Sequence, residues 1–289
     1  MKITDVRKLI IKTFQNYNLS KYHSNLCADD RLVTIGGSVT EIAFALGLGN
    51  SIIAVDQSST LPRKVSSLKQ VGYIRALSAE GILSVMPSLI LSSSDIGPPN
   101  VIKQLKKSRV NLEIFKSPKN YDEVIQLVND MSHTLDLETK GEELILKLSE
   151  DYKKIQKLIS SYKKTPNVVF FMDTNNSGSF NAAGSGTRAD YLIELVGCNN
   201  IYKEEFKRYN KVSSESLLNM NPDVILIGGM LKDSALRSSI LDNKNLTKLN
   251  AVRNNKVFSI DLGYHLTFGT NISIAAIELI NLINIDSNE

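Results

Sequence analysis

The stretches LSAEGILSVMPSLIL (77–91) and VSSESLLNMNPDVIL (212–226) align without a gap at an offset of 135 residues. Six of the fifteen positions are identical: Ser78 and Ser213, Glu80 and Glu215, Leu83 and Leu218, Pro87 and Pro222, Ile90 and Ile225, Leu91 and Leu226. Each copy reads as a short helix capped by serine, a proline that ends it, and a buried strand. Ordinary helix-to-strand grammar accounts for the proline and the apolar matches. It accounts less well for the paired glutamates, because an acid in the first turn of a helix is favourable but not required. The repeat therefore implies two lobes built on one plan.

Outward from the first copy, RLVTIGG (31–37) reads as a buried strand ending in a glycine turn. SVTEIAFALGLG (38–49) reads as a helix with Ser38 as N-cap and Glu41 at the capping-box position. SIIAVD (51–56), SLILSSS (88–94) and NLEIFKS (111–117) are strands, and NVIKQLKKS (100–108) is a helix. From about Tyr121 the chain turns helical, and Leu144, Ile145, Leu148, Tyr152, Ile155 and Leu158 repeat at helical spacing. The segment Leu137–Tyr162 is roughly 35–40 Å long as a helix, enough to join two lobes, and Pro166 stops it. Alternation resumes with strands NVVFFMD (167–173), DVILIGG (223–229) and KVFSID (256–261), and with helices TRADYLIELVG (187–197) and NISIAAIELINLIN (271–284).

The fold class is thus α/β: two similar lobes with parallel-type sheets flanked by helices, joined by one long α-helix. The expected divisions are an N-terminal extension (1–30), an N-terminal lobe (31–136), the linking helix (137–165) and a C-terminal lobe (166–289). A cleft between such lobes is a favoured ligand site. Glu80 and Glu215 then occupy equivalent surface positions, a natural docking device for a symmetric basic partner.

The totals exclude several classes. With 34 basic and 30 acidic residues the net charge is +4, and no basic run is interleaved with aromatics, so nucleic-acid binding is not expected. No segment reaches membrane-spanning length. The two cysteines, Cys27 and Cys198, form neither a metal-spaced pair nor a disulfide framework. Met1–Asp30 holds no apolar run of signal-peptide length. No catalytic constellation stands out: GSGTR (184–188) lacks the Lys-Ser/Thr of a phosphate loop, and His23, His133 and His265 are scattered.

VGYIRALSAEG (71–81) is unusual, because Tyr73 stands two residues before Arg75 on the approach to the first repeat. In an extended segment the two side chains project to one side. A guanidinium beside a phenol favours phenolate, a hard donor suited to ferric iron. The alternative is a tyrosine packed at a lobe edge beside a surface arginine. Before the second copy, KRYNKVSSE (207–215) has Tyr209 and Lys211 at similar spacing, shifted by one residue.

Together with TIGGSVTEIAFALGLG, LILSSSDIGPP, AAGSGTRADYLIELVG and PDVIL, this string resembles the haemin-binding substrate-binding proteins of bacterial ABC importers, from about Arg31 to Asn284. The resemblance implies a monomeric periplasmic binding protein, not an enzyme, that carries haem between its lobes. It implies Tyr73 as axial iron ligand, supported by Arg75. It implies that Glu80 and Glu215 meet arginines of the permease dimer. Some relatives add a histidine in the loop before AAGSGT. Here that loop, DTNNSGSFN (173–181), has none, so Tyr73 alone is the expected iron ligand. Phe180, Asn175, Asn176 and Tyr264 or His265 are candidates for the opposite wall. The competing readings are a corrinoid or ferric-siderophore binder and, at a distance, an enzyme on the same scaffold.

Overall fold

A computed structural model describes residues 30–172, 180–229 and 235–284. Its first sheet has the order β3-β2-β1-β4-β5, with β1 Leu32–Ile35, β2 Ile52–Val55, β3 Lys69–Gln70, β4 Leu89–Ser93 and β5 Asn111–Phe115. All its pairings are parallel. Helices α1 (Gly37–Ala45), α2 (Ala79–Leu83) and α3 (Pro99–Lys107) connect these strands, and α4 (Tyr121–Thr134) follows β5.

The second sheet has the order β11-β10-β6-β7-β9, with β8 paired to β6. Its strands are β6 Asn167–Met172, β7 Phe180–Ala183, β8 Asn199–Asn200, β9 Tyr209–Val212, β10 Val224–Gly229 and β11 Val257–Asp261. Helices α6 (Arg188–Leu195), α7 (Ser214–Met220), α8 (Ala235–Leu241), α9 (Asn250–Arg253), α10 (Leu262–His265) and α11 (Ile272–Asn284) complete it. Strands β6, β8, β10 and β11 pair in parallel, as expected. Strands β7 and β9 add an antiparallel extension, so the second lobe has four parallel strands where the first has five, and two antiparallel strands besides.

The repeat holds at residue level. Ser78 caps α2 by accepting from the Gly81 N–H at 3.3 Å, and Ser213 caps α7 by accepting from the Ser216 N–H at 3.1 Å. Strands β4 and β10 begin at Leu89 and Val224, the same offset of 135 apart.

Between the lobes runs α5 (Glu138–Ile159), 22 residues and about 33 Å long. It ends seven residues before Pro166. The cause is a pair of serines: Ser160 and Ser161 donate back to the carbonyls of Lys157 and Leu158 at 2.7 and 2.6 Å, which terminates the helix locally. The six apolar residues read from its periodicity all belong to, or pack against, one hydrophobic cluster. That cluster runs from Leu32 and Ile42 in the first lobe to Phe170 and Ala276 in the second. The Tyr121 hydroxyl ties α4 to α5 and α11, through the Leu148 carbonyl at 2.6 Å and the Ser273 hydroxyl at 2.7 Å. Cys198 is buried in the same cluster, which pushes its thiol up to about 12; Cys27 lies outside the described residues.

Two local expectations are corrected. The N-cap of α1 is Gly36, not Ser38, which lies inside the first turn. Glu41 does not close a capping box. It is buried and crosses to the second lobe, accepting from the Asn271 N–H at 2.8 Å and the Thr270 hydroxyl at 3.4 Å. Gly269 makes this approach possible, since a Cβ there would lie 2.4 Å from a Glu41 carboxylate oxygen.

Burial raises the Glu41 carboxyl from 4.5 to about 7, with the hydrogen bonds from Asn271 and Thr270 opposing. The folded state therefore keeps a proton that the unfolded chain releases above pH 4.5. Stability from this group falls as pH rises from about 4.5 to about 7 and is then level, a loss of about 3 kcal/mol. Burial lowers the His265 imidazolium, which gives an opposite slope as pH drops below 6.5. Urea denaturation of wild type and Glu41→Gln across pH 5–8 separates the two. The difference between the proteins is expected to grow with pH, with the glutamine variant the more stable at pH 8.

Candidate functional site

The first-lobe floor of the cleft is set by a buried aspartate. Asp56 follows β2 and is fully buried. It accepts from the Gly36 N–H at 2.7 Å, the Ser58 N–H at 2.8 Å, the Ser59 hydroxyl at 2.6 Å and the Ser58 hydroxyl. Ser59 in turn meets Thr40 at 2.7 Å, and Thr40 donates to Thr34 at 2.9 Å. This network joins the end of β1, the start of α1 and the loop after β2. It fixes Gly36, Gly37, Ser38 and Ser58, which line a cavity of about 160 Å³ between the lobes.

Tyr73, Ile74 and Arg75 line the same cavity. They sit in a turn rather than an extended strand. Gly72, at φ +114, supplies a reversal that a residue with a Cβ rarely adopts. The Ala76 N–H then donates to the Tyr73 carbonyl at 2.8 Å. The turn is pinned to the loop after β4, where the Gly97 N–H donates to the Ile74 carbonyl at 2.8 Å and the Leu77 N–H to the Gly97 carbonyl at 3.1 Å. Ile74 anchors it in the core, while Tyr73 stays 49% exposed and Arg75 exposed. A large aromatic held on a rigid turn at a cleft is poised for contact.

The second lobe contributes Arg188 and Thr267. Arg188 opens α6 behind its N-cap Thr187, which accepts from the Asp190 N–H at 3.0 Å. Its guanidinium donates across the cleft to Asp95 at 3.2 Å and to the Ser117 hydroxyl, and within its own lobe to the Leu266 carbonyl at 3.2 Å. Ser117 also donates to Asp95 at 2.7 Å. Partial burial lowers the Arg188 pKa; Asp95 opposes that shift, and the nearby Arg75 charge adds to it. The cavity thus holds one phenol, two guanidiniums and one carboxylate.

Of the residues singled out from sequence, Tyr73 and Arg75 come together here. Phe180 does not: it is buried in the second-lobe core, 5.3 Å ring to ring from Phe171, because β7 is a paired strand and not a cleft loop. Asn175 and Asn176 lie outside the described residues. Tyr264 and His265 stand on α10, tied to their own lobe rather than lining the cavity. The Tyr264 N–H donates to the Asp261 carboxylate at 2.8 Å, and His265 Nδ1 lies 3.0 Å from the Asp261 carbonyl. Glu80 and Glu215 are exposed in the first turns of α2 and α7, and a shallow groove beside Glu80 runs between α2 and α3.

Sequence reasoning missed Arg188, Asp95, Asp56 and Thr267. Only Arg188 carried a signal. A cation at the first position of a helix works against the helix dipole, so its presence in GSGTRAD asks for a partner elsewhere.

The sequence matches the periplasmic binding protein family over residues 32–262, and the chain belongs to that family. It is 23% identical over 233 residues to an uncharacterized ABC transporter substrate-binding lipoprotein, YvrC of Bacillus subtilis, covering 80% of this chain and 72% of the relative. It is 24% identical to a vitamin B12-binding protein of Vibrio parahaemolyticus, covering 80% and 81%. The periplasmic heme-binding protein RhuT of Roseiflexus sp. RS-1 superposes with a TM-score of 0.82 at 27% identity, covering 90% of this chain and 100% of that one. The family and these relatives are substrate-binding proteins, so the chain is a binding protein and not an enzyme. Among the described residues, no helix is long and apolar enough to cross a membrane.

Replacing Asp56 by Ala strips four donors, two of them backbone N–H groups, of their shared acceptor. The expected loss is about 2–4 kcal/mol by urea denaturation, with Asp56→Asn intermediate because it retains one acceptor oxygen.

Proposed function

We propose that this member of the periplasmic binding protein family carries haem between its two lobes and delivers it to an ABC importer. The observation that carries the reading is Tyr73: a half-exposed phenol, rigidly presented into the inter-lobe cavity with Arg75 two residues away. In this reading Tyr73 is the axial iron ligand, and the Arg75 guanidinium stabilises the phenolate form of a bound complex. The lobes are residues 31–136 and 166–289 about the helical segment 137–165, and the protein works as a monomer in the periplasm. The likeness to a haem-binding protein supports the reading. A corrinoid is the second reading, favoured by the vitamin B12-binding relative.

Absorbance titration separates the two. Haemin added to the purified protein is expected to give a high-spin ferric spectrum that Tyr73→Ala abolishes. An unchanged haemin spectrum alongside saturable binding of cyanocobalamin would transfer the assignment to corrinoids.

Glu80 and Glu215 dock the permease dimer in this reading, each presented on a serine-capped helix of its own lobe. Reversing both to Lys is expected to abolish uptake in reconstituted transporter vesicles while haem affinity stays within about twofold, since neither lines the cavity. Loss of haem affinity in that double variant would place the acids in the ligand site instead.

A further inference from the structure

The cavity is small for its proposed cargo. At about 160 Å³ it falls below the roughly 300–1,000 Å³ of pockets that enclose drug-sized ligands. A tetrapyrrole therefore enters only if something across the cleft gives way. Among the described residues, the polar link crossing at that level is Arg188 on Asp95 and Ser117. Its make-up suits exchange. The Asp95 side chain keeps 38% of its surface exposed and that of Arg188 33%, so either returns to a polar partner or water at little cost. Asp95 retains a hydrogen bond from Ser117 if Arg188 leaves. Arg188 stays aimed at the cavity by its position at the start of α6 and by the Leu266 carbonyl.

The charge balance says what would displace Asp95. Arg75 and Arg188 are close enough to repel, and one carboxylate serves the two guanidiniums that line the cavity. A guanidinium recognises carboxylate best, through paired N–H donors. A ligand bringing carboxylates of its own would neutralise both cations. A ligand whose side chains are neutral amides would not.

We propose that Arg188 is a second-lobe receptor for a ligand carboxylate, and that binding exchanges its partner Asp95 for that carboxylate. The ligand class is a flat apolar macrocycle bearing carboxylates. This deepens the haem reading and rests on it for the place where the ligand sits, but it makes no use of iron.

The test uses metal-free protoporphyrin IX and its dimethyl ester, titrated by porphyrin fluorescence into wild type, Arg188→Gln and Asp95→Asn. Wild type is expected to bind the diacid about tenfold more tightly than the diester. Arg188→Gln is expected to bring the two within about twofold, and Asp95→Asn to strengthen the diacid severalfold while leaving the diester unchanged. Equal affinities in wild type, failure to bind either porphyrin, or a preference that survives Arg188→Gln would overturn the exchange. If Arg188→Gln does not fold by circular dichroism, Asp95→Asn decides alone: diacid binding that is unchanged or weaker sinks the proposal. The iron assignment fails separately. A protein that selects the diacid through Arg188, yet gives no Tyr73-dependent haemin spectrum, keeps this receptor and loses the axial ligand.

Discussion

Among the described residues the two sheets share no backbone hydrogen bonds, so side chains that cross the gap decide how they face each other. The most committed of these is Glu41. It leaves α1 in the first lobe and ends against the Asn271 N–H at the start of the last helix of the second. It is almost wholly buried, and the missing Cβ at Gly269 is what admits its carboxylate. Withdrawing it would leave the Asn271 N–H without its acceptor and the carboxyl of a buried side chain without its partners. The base of the cleft is thus held by contacts whose loss is costly.

At the cleft itself the physics is reversed. Arg188 and Asp95 meet where both are partly wet, and such pairs contribute about 0–1 kcal/mol net. A weak polar link above a strong buried one lets the mouth of a cleft respond to a ligand while the lobes stay together. A continuous core along α5 favours that kind of adjustment over a wide hinge. On this account binding changes partners at the rim more than it changes the fold.

What was legible in the sequence was whatever depends on neighbours in the chain. The serine caps of α2 and α7, the strands after Pro87 and Pro222, and the buried face of α5 all follow from spacing, and all stand. What was missed depends on distant residues. Ser38 has the chemistry of a cap, but Asp56, twenty positions on from Gly36, takes the Gly36 N–H and fixes the helix start there. Glu41 has the spacing of a capping box, but its partners lie 229 and 230 residues away. Strands β7 and β9 are only four residues each and carry no clean alternation, so their antiparallel pairing, and with it the burial of Phe180, was not readable.

The same pairing explains why the duplicated lobes do not duplicate the site. In the first lobe the segment before the repeated helix closes into a turn, pinned at Gly97, and leaves Tyr73 facing the cleft. In the second lobe the corresponding segment is β9, drawn into the sheet by β7. Tyr209, the nearest counterpart, is thereby folded against Phe170 at 6.4 Å, and burial pushes its phenol up to about 12. A phenol that resists ionisation is a poor donor to ferric iron. The second lobe answers with Arg188 instead. On the haem reading, one lobe then addresses the metal and the other the acidic edge of the macrocycle, so the ligand is oriented by the point at which the repeat diverges.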